Sequence, residues 1–380
     1  MNNRRNQFNI IAAIKIINNQ NHPLNYLLTS EHPLQNKYNN RKIVSKPFSI
    51  RTKELMSTYN VNITPSPETS ISILPPWKYL KLEVNKKLDG FGKKHTNPVL
   101  YRNLFLEEIH KYPDYIHYYT DGSKQNDEVG CAFVETNVAN KYHLPTNCNI
   151  FTAELFAIFK AIESAILKDQ CKILIITDSM SAIQALQKTI TKNYIVQDIQ
   201  KTISNYEHLF VTFFWVPSHQ GIAGNEMADR EAVSSTLEEL VNISIPEDNL
   251  ISLTKIKIFE RWKHEWNCIT NNKLRAIKPG TAKWINKYSR KEATTINRLR
   301  IGHCNLTRHQ YIFKRELPPV CTNCQKPLTV KHILIECKNY DNHRVEVKLS
   351  DALEKVLGDT NSDMIKLIKF LKKINLFNEI

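Results

Sequence analysis

Lys172 to Thr177 (KILIIT) reads as a continuous apolar strand, and the residue that follows it is an aspartate. A strand apolar on both faces belongs in the buried middle of a sheet, so other elements must cover that sheet on both sides. The neighbouring segments supply them. Phe151 to Leu167 is apolar at 151, 155, 158, 159, 162 and 166, which is helical spacing, with Thr152 as its cap. Ser179 to Gln187, Tyr194 to Tyr206 and Ala223 to Ser234 also read as helices. Tyr115 to Thr120, Val129 to Glu135, Ala139 to Leu144 and Leu209 to Val216 read as strands. The first of these ends in an expected turn, Asp121-Gly122-Ser123. The order is three strands, helix, strand, two helices, strand, helix. It predicts an α/β fold with a mixed five-stranded sheet and helices on both faces.

Acidic residues fall at the ends of these elements. Asp121 closes the first strand, Asp178 closes the apolar strand, Glu154 lies early in the helix between them, and Asp229 lies in the last helix. Each acid alone has a plainer account, as a turn residue, a cap, a dipole partner or a solvated face. The plainer accounts leave the joint pattern unexplained. Ligand sites in open α/β sheets gather at the carboxyl ends of strands. Adjacent parallel strands would bring Asp121 and Asp178 side by side, where two carboxylates repel unless a cation sits between them. Hard oxygen donors favour Mg²⁺ or Mn²⁺.

Thr120-Asp-Gly-Ser, Thr152-Ala-Glu-Leu, Thr177-Asp-Ser and Gly224-Asn-Glu-Met-Ala-Asp229 occur in this order. Together they resemble a type I ribonuclease H domain over residues 114–236. The resemblance implies that Asp121, Glu154, Asp178 and Asp229 are the four metal-binding acids. His219, in Ser-His-Gln-Gly, would be the loop histidine beside them. It further implies two Mg²⁺ (or Mn²⁺) ions and hydrolysis of the RNA strand of RNA–DNA hybrids. An exonuclease or integrase-like enzyme of related fold uses similar carboxylates. The Ser-His-Gln-Gly loop and Asn225-Glu-Met-Ala-Asp229 argue against it.

The net charge of +15 is unevenly spread. Residues 1–113 carry 17 Lys/Arg against 7 Asp/Glu (+10), residues 114–236 carry 9 against 14 (−5), and residues 237–380 carry 26 against 16 (+10). Basic flanks point to contact with nucleic-acid phosphates. Residues 1–113 hold few periodic segments, and Pro65, Pro67, Pro75 and Pro76 mark loop or extended chain, so a partly irregular connector is expected there. Residues 237–250 read as a linker and 251–316 as a basic helical region. Residues 317–345 read as a cysteine-rich hairpin, and 346–380 as C-terminal helices. In the tail, Met364 to Leu376 is apolar at helical spacing with lysines between, and the expectation is a face packed on its neighbours.

Cys321-x2-Cys324-x7-His332-x4-Cys337 has the ligand spacing of one structural Zn²⁺, with all four positions filled by protein. His303, His309 and His343 are spare candidates. The domain, a basic stretch with Arg300-Ile-Gly-His303 and this hairpin resemble the C-terminal part of non-LTR retrotransposon polyproteins. The chain has no Asp-Asp pair, so the polymerase signature of such polyproteins is absent and a fragment is expected. The alternative expectation is a weak or inactive nucleic-acid-binding remnant.

No apolar run approaches a membrane span. Phe8 to Ile17 follows Arg4 and Arg5 as a signal peptide would, but Lys15 interrupts it and no small-residue cleavage site follows, so a short helix is expected. The expected location is intracellular, nucleus or cytoplasm, without a membrane partner, and the eight cysteines should be mostly reduced.

Overall fold

The computed structural model describes residues 2–29, 46–61, 82–91, 97–270, 272–284, 287–302, 304, 306 and 319–380. They fall into two units, Met1–Ile258 and Phe259–Ile380.

The first unit begins with helices α1 (Asn2–Ile17), α2 (Asn25–Thr29) and α3 (Phe48–Thr58), strand β1 (Glu83–Asn85) and helix α4 (Pro98–Ile109). Then come β2 (Ile116–Gln125), β3 (Glu128–Glu135), β4 (Val138–Leu144), α5 (Ile150–Leu167), β5 (Lys172–Thr177) and α6 (Met180–Leu186). They are followed by α7 (Tyr194–Asn205), β6 (Phe210–Trp215), α8 (Ala223–Ser234) and α9 (Glu247–Cys268), inside which the two units divide. The sheet order is β1-β6-β5-β2-β3-β4. β2, β3 and β4 run antiparallel, while β1, β6, β5 and β2 pair in parallel.

The mixed sheet is present, with six strands rather than five. The extra strand comes from the expected connector: Glu83, Val84 and Asn85 pair with Thr212, Phe213 and Phe214 at the edge that β6 would otherwise expose. β5 explains why. Ile173 and Ile175 pack in a core with Leu155, Ile158 and Ile162 of α5 and Ile199 of α7. Leu174 and Ile176 point the other way, into a second core with Leu88, Tyr101, Phe105, Phe214 and Val216. A strand buried on both faces needs two cores, and the second is built from residues upstream of the domain.

Three further expectations change. Asp121-Gly122-Ser123 is not a turn but lies inside β2, opposite Ala132, Cys131 and Gly130. The chain reverses instead at Asn126, which takes a left-handed φ of 55° that asparagine tolerates. The N-cap of α5 is Asn149, whose side chain accepts from the Thr152 main-chain N–H at 2.8 Å. Residues 237–250 are not a free linker. Val241 N–H donates to the His143 carbonyl at 2.8 Å, Tyr194 donates to the Ser244 carbonyl at 2.6 Å, and Ile245 and Leu250 are buried. These two join Ile10 and Ile14 of α1, Val61, and Val129, Phe156 and Ile258 in one core. Chain on both sides of the domain is thus packed onto it. Pro65, Pro67, Pro75 and Pro76 lie outside the described residues.

The second unit contains the end of α9, α10 (Lys273–Ile277), α11 (Arg290–Ile301), a π-helical turn at His332–Glu336, α12 (Asp341–Val347), α13 (Leu353–Val356) and α14 (Asn361–Lys373). α11 starts at a capping box, Ser289 with Glu292, and stops at Gly302, whose φ of 76° suits glycine. Met364, Leu367, Ile368, Phe370 and Leu371 of α14 are buried with Ile296 and Leu299, so the tail does pack its apolar face. Arg300 is also internal. Its guanidinium lies 3.7 Å from the Trp284 ring centre and donates to the Leu357 carbonyl at 2.9 Å. Among the described residues no helix is long and apolar enough to cross a membrane.

Candidate metal centres

Parallel pairing of β2 with β5 sets Thr120 opposite Thr177, so Asp121 and Asp178 each come one residue after a matched pair. Neighbouring strands lie about 4.8 Å apart, which places the two carboxylates side by side. Glu154 is brought to them by close approach of β2 to α5. A Cβ on Gly122 would lie 2.6 Å from the Glu154 main-chain nitrogen and 2.9 Å from the Ala153 Cβ, so only glycine fits there. The Gly122 N–H donates to Asp121 Oδ1 at 2.8 Å. Trp215 Nε1 donates to the Asp178 main-chain oxygen at 3.0 Å and fixes the end of β5.

Asp121, Glu154 and Asp178 each offer a carboxylate oxygen within 4.8 Å of the others. Asp121 and Glu154 are both buried. Burial, then the charges of Asp178 and Asp229, push the Asp121 carboxyl up to about 8. Burial, then Asp121 and Asp178, hold Glu154 well above the ordinary carboxylate range. Glu154 Oε2 has no hydrogen-bond partner among the described residues. Three crowded carboxylates, one with an orphaned buried oxygen, are a donor set that a hard divalent cation satisfies.

The fourth acid stands apart from this trio. Asp229 Oδ2 lies 3.6 Å from His219 Nδ1, and these two form a separate group with Glu226, again within 4.8 Å of one another. Asp229 still acts on Asp121 through its charge. His219 is exposed in the loop before α8, with a left-handed φ of 55°. Glu226 was not singled out in the sequence. Its Oε1 accepts from the Gly221 N–H at 3.1 Å, which ties the histidine loop to the first turn of α8. Its place three residues before Asp229, on the same helix face, was the available signal.

Cys321, Cys324, His332 and Cys337 converge in the second unit, with one ligand atom from each within 4.8 Å of the rest. The Sγ atoms of Cys321 and Cys337 are 3.8 Å apart. Tetrahedral Zn–S bonds of about 2.3 Å require about that separation. Both ring nitrogens of His332 are buried without a hydrogen-bond partner among the described residues. The Cys324 backbone N–H is the main cause that lowers the Cys321 thiol to about 6, while burial raises Cys337 to about 11. The hairpin is braced by Thr329, whose hydroxyl accepts from the His332 N–H at 3.0 Å, and by Arg344, which donates to the Cys337 carbonyl at 2.6 Å. His343 is not in the cluster, and His303 and His309 lie outside the described residues.

Comparison with known proteins finds relatives over the segment that carries the first group. Residues 113–236 match the family described as RNase H. The chain is 35% identical over 138 residues to the Gag-Pol polyprotein of bovine immunodeficiency virus (strain R29), covering 35% of this chain and 9% of that protein. It is 31% identical over 143 residues to the Pol polyprotein of equine infectious anemia virus (isolate 1369), covering 36% of this chain and 12% of that protein. It is 33% identical over 119 residues to the Pol polyprotein of ovine maedi visna related virus (strain South Africa), covering 30% and 10%. The chain therefore spans only about a tenth of the length of the curated relatives it matches. Residues 113–236 form an RNase H family domain, set in a chain with further folded segments on both sides.

Proposed function

We propose that this chain cleaves the RNA strand of RNA–DNA hybrids endonucleolytically, with Mg²⁺ or Mn²⁺ held by Asp121, Glu154, Asp178 and Asp229. The observation that carries this reading is the trio of carboxylate oxygens within 4.8 Å, two of them one residue past the last matched pair of two parallel strands. When bound, such ions lower the pKa of water and neutralise charge on a departing 3′ oxygen. The residues of the chain do the rest. Asp121 and Asp178 supply a fixed carboxylate pair on the two central strands of the sheet, and buried Glu154 keeps one side of the centre closed to solvent. Asp229 orients the His219 ring, and Glu226 holds the loop, so that an exposed imidazole can move a proton at the rim of the site.

Substrate grip is assigned to the flanks. The domain carries −5 and does not attract a polyanion from a distance, whereas each flank carries +10. The Cys-Cys-His-Cys cluster is assigned one structural Zn²⁺. Its position downstream of the domain supports the reading of a non-LTR retrotransposon protein.

The test uses the full chain with Mg²⁺ and an end-labelled hybrid, beside an Asp178→Asn variant and duplex DNA and duplex RNA controls. Internal cleavage of the RNA strand, lost in Asp178→Asn, is expected. An intact hybrid after incubation with the unmodified chain would overturn the reading. Cleavage that survives Asp178→Asn would do the same.

A further inference from the structure

We infer that a basic groove in the second unit is a phosphodiester-binding site that takes the backbone of a nucleic-acid strand. The groove has a volume of about 410 Å³ and runs between α11 and the segment after α14. Arg290, Thr294 and Arg298 line one side, and Lys291 adds a third cation. Positions 290, 294 and 298 are successive turns of one helix face, so the three side chains form a column. Phe377 and Asn378 form the opposite wall. The volume lies in the range of pockets that hold ligands of roughly nucleotide size.

The charge in this groove is only partly compensated, because an oxygen of the carboxylate on the last residue, Ile380, accepts from Arg298. Arg290 and Lys291 have no ion-pair partner among the described residues; the acid nearest in sequence, Glu292, accepts from Ser289 and lies 3.9 Å from Lys372. Arg290 and Lys291 occupy the first two positions of a 12-residue helix, the end where the helix dipole disfavours cations. Neutral contacts hold Lys291 in place without cancelling its charge, while Arg298 is met by the last residue. Lys291 donates to Asn378 Oδ1 at 2.7 Å and lies 5.6 Å from the Phe377 ring centre, and Arg298 donates to an oxygen of the Ile380 carboxylate at 2.8 Å, which leaves Arg290 and Lys291 as the cations open to a phosphate.

Three other basic residues of this unit are spent differently. Arg300 is buried against Trp284, Lys278 pairs with Asp359, and Arg344 pairs with Asp341. The groove sets Arg290, Lys291 and Arg298 beside the Phe377 ring, the chemistry that receives phosphates on one side and a sugar or base on the other.

The site stands independently of hybrid hydrolysis, so the probe is a labelled single-stranded 16-nucleotide DNA, which such a hydrolase does not cut. Binding to the full chain is followed by fluorescence anisotropy as KCl is raised. Arg290→Glu/Lys291→Glu is compared with Lys355→Glu/Lys369→Glu, an equal charge change at exposed positions elsewhere in the unit. The groove pair should weaken binding about tenfold near 100 mM salt and make the log–log salt slope shallower by about 1.4, since each lost single-strand contact removes about 0.7. The control pair should change affinity less than about threefold and leave the slope in place. Equal losses in the two pairs, or an unchanged slope in the groove pair, would overturn the inference. Thermal unfolding checks each variant, and Arg290→Gln/Lys291→Gln gives the same readout if the charge reversal does not fold.

Discussion

Asn249, at the start of α9, donates its side-chain amide to the Thr152 hydroxyl at 2.8 Å, and both residues are buried. Thr152 lies in the first turn of α5, two residues before Glu154. Chain that follows the family-matched segment therefore reaches the helix that carries a carboxylate of the metal centre. Asn249→Ala should cost about 1–3 kcal/mol, the penalty for leaving a buried hydroxyl without its partner. Removing both polar groups, as Asn249→Leu with Thr152→Val, should recover part of that loss. Denaturant unfolding of the two single variants and the double variant measures the coupling, and strict additivity would sink the idea.

The segment upstream should matter more. Leu174, Ile176, Phe214 and Val216 have one core in common with Tyr101 and Phe105 of α4 and with Leu88. A fragment of residues 113–236 uncovers these four side chains. At about 1.5–3 kcal/mol each, their exposure costs about 6–12 kcal/mol. That is as large as the whole stability of an ordinary domain, about 5–15 kcal/mol. The fragment 113–236 is expected to be insoluble or to lack a cooperative transition, while 82–258 should unfold cooperatively. Equal melting temperatures for the two would show that α4 and β1 are ornamental.

The sequence made legible what depends on local pattern. β5 and α5 were readable because an all-apolar strand and a 3.6-residue period each have one structural meaning. Asp121 and Asp178 were readable as neighbours because both follow apolar segments that must pair in parallel, although β2 runs on past Asp121. The cysteine and histidine cluster was readable because its four ligands fall within 17 residues. What stayed hidden depends on pairing at a distance. Glu83–Asn85 is three residues long and has no period, so only the open edge of β6 makes it a strand. Thr152 and Asn149 are both good caps, and the packing that starts α5 at Ile150 chose between them. The separation of Asp229 from the other three acids is set by where the α8 side chain reaches, which helical position alone does not give.

The raised carboxyls predict how pH and metal act together. Asp121 stands at about 8 in the folded chain against an ordinary 3.8. A folded value above the unfolded one means that its contribution to stability is fully present below about pH 3.8 and is lost as pH rises through about 8. The metal-free protein should therefore lose stability between about pH 5 and pH 8.5. A divalent cation binds the ionised form, so the rise in melting temperature caused by Mg²⁺ should be larger at pH 8.5 than at pH 5.5. Asp121→Asn should flatten both trends. A Mg²⁺ effect that is the same at both pH values would remove the centre's electrostatic basis.

The second unit makes the corresponding prediction for zinc. Its core is built from short helices, and Cys321, His332 and Cys337 are buried next to Val330, Ile333 and Leu334. A cluster with two unsatisfied ring nitrogens and crowded thiols is unfavourable without a cation to bind them. Zinc sites of this type contribute on the order of 10 kcal/mol to folding. The purified chain should carry one zinc, and Cys337→Ser should lose it together with the protected amides of 319–340 in hydrogen exchange. Cys268→Ser alters an exposed thiol outside the cluster and should keep both. The Mg²⁺-dependent transition should persist in Cys337→Ser, because the trio of carboxylates belongs to the other unit. Equal zinc content in Cys337→Ser and the unmodified chain would mean that the metal, if any, is held elsewhere.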